Sequence, residues 1–157
     1  DALDRVQPGD TIVLVRGVYY ENIETKIDGE IDNRITVRGP VASTTGEVIL
    51  RGTDNSNRLF QVHHDYYTIE HFTIDGELEE GSNVFIDKLL FAHGEREPRL
   101  LGNGSTQYLS AVDGLIIRNM NVKNAGGECI RLRYFVTFTE IYDNIISGCG
   151  IHDFRVD

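Results

Sequence analysis

Two short segments bring together residue types that handle anions and protons. Glu128-Cys129-Ile130-Arg131-Leu132-Arg133 carries a carboxylate and then two guanidiniums at alternate positions. Gly150-Ile151-His152-Asp153-Phe154-Arg155 follows at a spacing of 24. In that register Ile130-Arg131-Leu132 maps onto Phe154-Arg155-Val156, and Glu128 maps onto His152. Guanidiniums pair carboxylates bidentately, an imidazole exchanges protons near neutral pH, and a glutamate can ligate calcium. The candidate set is Glu128, Arg131, Arg133, His152 and Arg155, with Tyr134 beside Arg133 as a further ligand contact. With alternate residues inward, Arg131 stands about 4.8 Å from Arg155. Two like charges that close need Glu128, Asp153, Asp157 or a bound carboxylate to offset them. The same residues also describe an outward salt-bridge ladder on a solvated strand.

The elements that must hold these residues follow from a repeat. Ile69–Asp75, Ile117–Lys123 and Ile141–Ser147 share one shape, and their starts lie 48 and then 24 residues apart. The segments are short, β-branched and punctuated by Gly, Asn and Asp, as in Thr11–Val15, Arg34–Arg38, Glu47–Arg51 and Leu59–Val62,. A period near 24 kept through strands and corners predicts a parallel β-solenoid of about six coils in one domain, residues 1–157,. His71, Asn119 and Asp143 fall at one corner position, and Asn124 and Gly148 at another. Ala2, Leu3 and Val6 fit a helical cap ending at Gln7-Pro8-Gly9. Residues 77–112 must supply one coil, with Val84–Phe91 as its strand and an inserted loop at about 95–111. Asp157 falls in mid-strand, which reads as a fragment of a longer helix.

Composition narrows the function. There are 15 basic and 25 acidic residues, for a net charge of −10. That argues against a nucleic-acid or anionic-membrane partner, and leaves any anionic ligand dependent on local positive charge. Hydrophobic residues make up 40% of the chain, enough for a core without staples. Cys129 aligns with Asp153 and Cys149 with Ala125, so the register predicts that the two are not bonded to each other. Asn103-Gly104-Ser105 is a glycosylation acceptor triplet, in keeping with an extracellular, secreted protein.

Ala2-Leu3, Gln7-Pro8-Gly9-Asp10-Thr11-Ile12-Val13-Leu14 and Gly17-Val18-Tyr19 resemble the opening coil of right-handed parallel β-helix proteins of the pectin-lyase-like superfamily. Arg34–Pro40 followed by Val48–Gly52 extends the resemblance. The polygalacturonase, main pectate-lyase and alginate-epimerase patterns are absent. The nearest resemblance is to the chondroitinase-B and alginate-lyase family. Glu128–Arg133 is similar to its catalytic strand, and Gly150–Arg155 to its arginine strand. The resemblance implies a polysaccharide lyase acting on an acidic, uronate-containing polysaccharide. It implies catalytic roles for Arg133 and Arg155; the residues themselves add His152 for proton transfer, Arg131 and Tyr134 for substrate and Glu128 as a ligand for calcium,. Arg133 stands where the family has a lysine base, and arginine holds its proton far more firmly.

Such an enzyme works by β-elimination. A base removes the proton beside the uronate carboxylate and the leaving sugar departs, while a cation neutralises the carboxylate. The expected assembly is a monomer or part of a longer chain. The alternative is a noncatalytic carbohydrate-binding or surface module. An inverting glycosidase would need carboxyl groups roughly 6.5–9.5 Å apart, for which Asp143 and Asp153 are available. His63-His64-Asp65 reads as a polar corner, and Glu77, Glu79 and Glu80 as loop charge.

Overall fold

Alternation of β-branched and polar residues, broken every few positions by a residue that tolerates a tight corner, makes this chain wind in coils. The computed structural model describes residues 2–40, 48–53, 57–94 and 111–152, with the backbone of 99–100 and 106–107. The first coil holds β1 (Thr11–Val13), β2 (Gly17–Tyr20) and β3 (Ile23–Glu24), and the second β4 (Ile35–Arg38), β5 (Val48–Arg51) and β6 (Arg58–Val62). The third holds β7 (Tyr67–Glu70), β8 (Thr73–Asp75) and β9 (Lys88–His93). An antiparallel pair follows, β10 (Arg99–Leu100) with β11 (Thr106–Gln107). β12 (Val112–Asp113), β13 (Ile116–Arg118), β14 (Asn121–Lys123) and β15 (Glu128–Arg133) form the next turn, then β16 (Val136–Thr137), β17 (Glu140–Tyr142) and β18 (Ile145–Ser147). Stacking gives a first sheet β1-β4-β7-β13-β17, a second β18-β14-β8-β5-β2 and a third β15-β9-β6-β3, with parallel pairing throughout. This is a parallel β-helix.

Register decides the core. Ile12, Val37, Ile69, Ile117 and Ile141 stand over one another in the first sheet. Tyr19, Leu50, Ile74, Val122 and Ile146 do so in the second, and Ile23, Phe60, Leu90 and Ile130 in the third. The central members are fully buried, each worth roughly 1.5–3 kcal/mol of transfer free energy.

The corners match the repeat. His71, Asn119 and Asp143 have φ of 62°, 52° and 54°, and Asn124 and Gly148 share 61°. Asx and Gly tolerate this left-handed conformation. Asn144, next to the corner residue Asp143, satisfies corner backbone, accepting from the Met120 N–H and donating to the Ile117 carbonyl, both at 2.9 Å. At Gly39 and Gly76 an added Cβ would lie 2.0 Å and 2.1 Å from the carbonyl oxygens of His71 and Asn124 in the next coil. Only glycine lets the coils approach there.

Five expectations need correction. Ile69 lies directly against Ile117, so residues 77–112 are not a coil of their own. They enlarge the third coil and supply β9, which begins at Lys88 rather than Val84. The two longest sheets are therefore five strands deep among the described residues, not six. Residues 3–5 form a turn instead of a helix, closed by the Arg5 N–H donating to the Ala2 carbonyl at 3.2 Å. Cys129 and Cys149 are bonded, with Cα atoms 5.5 Å apart. The coil register ends at Gly148: Gly150 then donates to Gly127, and Ile151 and His152 donate to Ala125 and Gly126. That fold-back carries Cys149 to Cys129. Asp153 to Asp157, Arg155 among them, and the Asn103 triplet lie outside the described residues.

An ionic cluster on the outward side of the second sheet is buried. Asp75 is 1% exposed and Arg51 7%. Asp75 accepts from Arg51 at 3.1 Å and from Asn124 at 2.9 Å, with Lys123 at 3.4 Å. Asp75→Ala strands the Arg51 charge and is expected to cost about 3–5 kcal/mol in a urea melt. The disulfide closes a separation of 20 residues, so reduction should lower stability by about 3 kcal/mol. Intact mass should rise by two hydrogens on reduction. An unchanged mass would show the thiols free.

Candidate functional site

The outer face of the third sheet collects the chemistry. A doubled inward step at Leu59-Phe60 and Leu89-Leu90 puts both residues of each pair in the core, and alternation then resumes. Gln61, Phe91 and Arg131 form one outward row, joined by Glu24. Val62, Ala92 and Leu132 turn inward. At the strand ends Arg133 pairs with His93, and His63 precedes His93 in the same column. Neighbours in a column are about 4.8 Å apart.

The side chains divide into two groups. Towards the strand start, Glu128 accepts from Arg131 through Oε1, and Lys88 Nζ stands 3.7 Å from Oε2. Lys88 also pairs with Asp87. Arg58 lies 4.1 Å above the Phe91 ring, and that cover explains why an outward phenylalanine is fully buried,. Towards the strand end, Arg133 Nη2 donates to the Tyr134 hydroxyl at 2.9 Å and the guanidinium lies 4.6 Å over the same ring. The His93 ring is stacked with Phe91 at 5.6 Å and meets Tyr134 edge-on at 5.5 Å and His63 at 5.9 Å.

Protonation follows from these neighbours. His63 Nδ1–H donates to the His93 carbonyl at 3.0 Å, and its Nε2 stands 3.7 Å from Glu24. Burial first, then the charges of His63, Arg133 and Arg58, hold the His93 pKa below the ordinary histidine value,. His93 is a neutral imidazole at pH 7. Tyr134 and Phe135 have φ of 45° and 46°. A left-handed pair of aromatics is strained backbone, and such strain gathers where a side chain must be aimed.

The structure separates the residues expected to act together. Glu128 and Arg131 share an ion pair, whereas Arg133 and Tyr134 meet at the other end of β15, about 16 Å from Glu128 by strand rise. His152 sits over Gly126, to whose carbonyl its N–H donates at 2.9 Å, and its ring lies 5.5 Å from Phe85. It stands before the strand start, away from Arg133. Calcium takes six to eight oxygen ligands. Glu128 instead has cations on both oxygens, and no group of three carboxylate, histidine or cysteine side chains suited to a metal occurs among the described residues. The residues at Glu128 do not fit a calcium ion. His64 and Asp65 do turn a corner: His64 Nδ1 bonds Thr25 Oγ1 at 2.8 Å, and Asp65 accepts the Asp113 N–H at 2.8 Å. Asp143 is a corner residue. Sequence reasoning missed His93, Phe91 and Arg58, and put His63 in the corner. The signal was the 30-residue step from His63 to His93, which a search for 24 passes over.

No family model matches the chain, and no curated protein does. Among solved structures it is similar to a point mutant of the PL6-family alginate lyase AlyGC (17% identity, TM-score 0.42, 85% of this chain and 19% of that one). AlyGC itself gives 20% identity and TM-score 0.36 over 76% of this chain and 17% of that one. An alginate lyase from Paenibacillus sp. str. FPU-7 gives 19% and 0.45 over 94% and 53%. The chain spans about a fifth of the AlyGC length and about half of the Paenibacillus chain.

His93 and His64 both have lowered pKa values, chiefly through burial. The unfolded chain therefore binds more protons than the folded one just below the ordinary histidine pKa of about 6.5. Stability should rise with pH through that window. Thermal midpoints at acid and neutral pH test this, and the slope should flatten in His93→Gln and His64→Gln. An equal slope in both variants would place the titration elsewhere.

Proposed function

We propose that the outer face of the third sheet binds an acidic polysaccharide and that the protein cleaves it by β-elimination at a uronate. One observation carries the reading: Arg133, Tyr134, His93 and His63 converge at one end of that face. A polyanion meeting a protein of charge −10 must settle where cations gather, and Arg58, Lys88, Arg131 and Arg133 all lie on this sheet. Carboxylate neutralisation falls to Arg133, whose bidentate fork suits a uronate. No step runs through calcium. The Cys129–Cys149 bond supports an oxidising, extracellular setting.

A noncatalytic binding module is the second reading, and Arg133 in place of a lysine favours it. Ultraviolet absorbance of the unsaturated sugar end separates the two. Alginate, pectate and dermatan sulfate are offered to the protein, with and without chelator. The expected result is product that persists in chelator and falls at least about 100-fold in Arg133→Ala, in line with loss of a charge-stabilising donor. Binding without product makes the protein a recognition module. Product abolished by chelator refutes the assignment of carboxylate neutralisation to Arg133.

A further inference from the structure

The lyase reading leaves the proton without an acceptor, because the arginine at the expected base position stays charged at any physiological pH. We propose that His93 takes the proton beside the uronate carboxylate and that Tyr134 protonates the departing oxygen, with Arg133 paired to the carboxylate. The proposal rests on the lyase reading and assigns its chemistry.

The geometry points there from three sides. Arg133 and His93 are directly opposed across β15 and β9, so a uronate paired to the guanidinium presents its acidic carbon within reach of the imidazole. The ring of His93 is fixed by Phe91 beneath it and by His63 and Tyr134 at its edges. A fixed base avoids the entropy of finding its proton. The titratable and charged groups facing His93 are Arg58 from β6 and His63 just after it, Arg133 from β15 and, behind His63, Glu24 from β3. Burial first, and then this excess of cations, keep the imidazole unprotonated and able to accept.

Tyr134 completes the set. Its oxygen accepts from Arg133 at 2.9 Å, and the adjacent cation stabilises the phenolate that forms when the phenolic proton leaves. In the reaction the imidazole takes the proton from the α-carbon. The electron pair of that C–H bond becomes the α,β double bond. The β-carbon–oxygen bond breaks, its pair stays on oxygen, and that oxygen takes the Tyr134 proton. Transfer of the imidazole's proton to the phenolate restores both groups. Atoms and charge balance with no water, oxidant or metal.

The experiment uses the whole protein and whichever of alginate, pectate or dermatan sulfate it cleaves. His93→Gln keeps the size of the side chain and takes no proton. Its kcat should fall about 10²–10⁴-fold, the range of a general base, with KM within a few-fold of the parent and an unchanged circular dichroism spectrum. The acid limb of the pH–rate profile should vanish. Added imidazole should restore turnover to His93→Gly, a rescue that a structural role would not give. Tyr134→Phe should lower kcat with KM kept. Turnover retained in His93→Gln, or absence of rescue in a folded His93→Gly, overturns the base. Full turnover in Tyr134→Phe overturns the acid. A parent protein that binds these polymers and yields no unsaturated end defeats the lyase reading itself, and this assignment with it.

Discussion

Everything in this molecule depends on parallel strands stacked in register at about 4.8 Å. Each side chain stands over its counterpart in the next coil, so a column must be self-compatible. Aliphatic columns are, and they make the core. Ionic columns are compatible when the sign alternates. Arg51, Asp75 and Lys123 alternate, as do Glu70 and Arg118 at 2.5 Å, whereas Lys88 meets Glu128 at 3.7 Å on one side and the like charge of Arg58 on the other. The column His63, His93, Arg133 does not alternate. It is tolerable because the arginine's neighbour is an imidazole, and burial with the adjacent cations holds the His93 pKa below the ordinary histidine value. A stack chosen for stability alone would place a carboxylate there.

The enlargement of the third coil falls on the same strand. One excursion leaves after Asp75 and is tied back by Ile86 N–H to the Gly76 carbonyl at 2.9 Å. The other leaves at Gly94, whose N–H donates to the Tyr134 carbonyl at 3.0 Å. β9 is flanked by both, and His93 ends it. Loops carried by a rigid ladder are where binding residues gather, and here the ladder presents the His63, His93 and Arg133 column at the point where the chain departs.

The coil, the corners and the faces were legible because they are local: β-branched alternation, and Asx or Gly at a left-handed position. His71 matched Asn119 and Asp143 for that reason. The number of coils was not legible. A 48-residue step equals two periods, and spacing alone cannot distinguish an extra coil from an enlarged one. The same ambiguity hid His93, whose partner His63 lies a different distance back. The cysteines were misread because register holds only while strands pair. Beyond Gly148 the backbone bonds to Ala125, Gly126 and Gly127 out of step, which also draws His152 away from Arg133.

The disulfide then gains a place in the argument. Cys129 points inward from the strand whose outward positions are Glu128, Arg131 and Arg133, and its bond to Cys149 ties that strand to the fold-back above it. β15 is thus held along one edge by β9 and at its start by a covalent link. Its far end, where Arg133 and the strained Tyr134 stand, is set by the ladder to His93 and by the Gly94 N–H. In the proposed reading, a guanidinium that meets a carboxylate at one angle, opposite an uncharged imidazole, draws on both restraints. For a catalyst of that kind, a misplacement of about one ångström is enough to cost two orders of magnitude in rate.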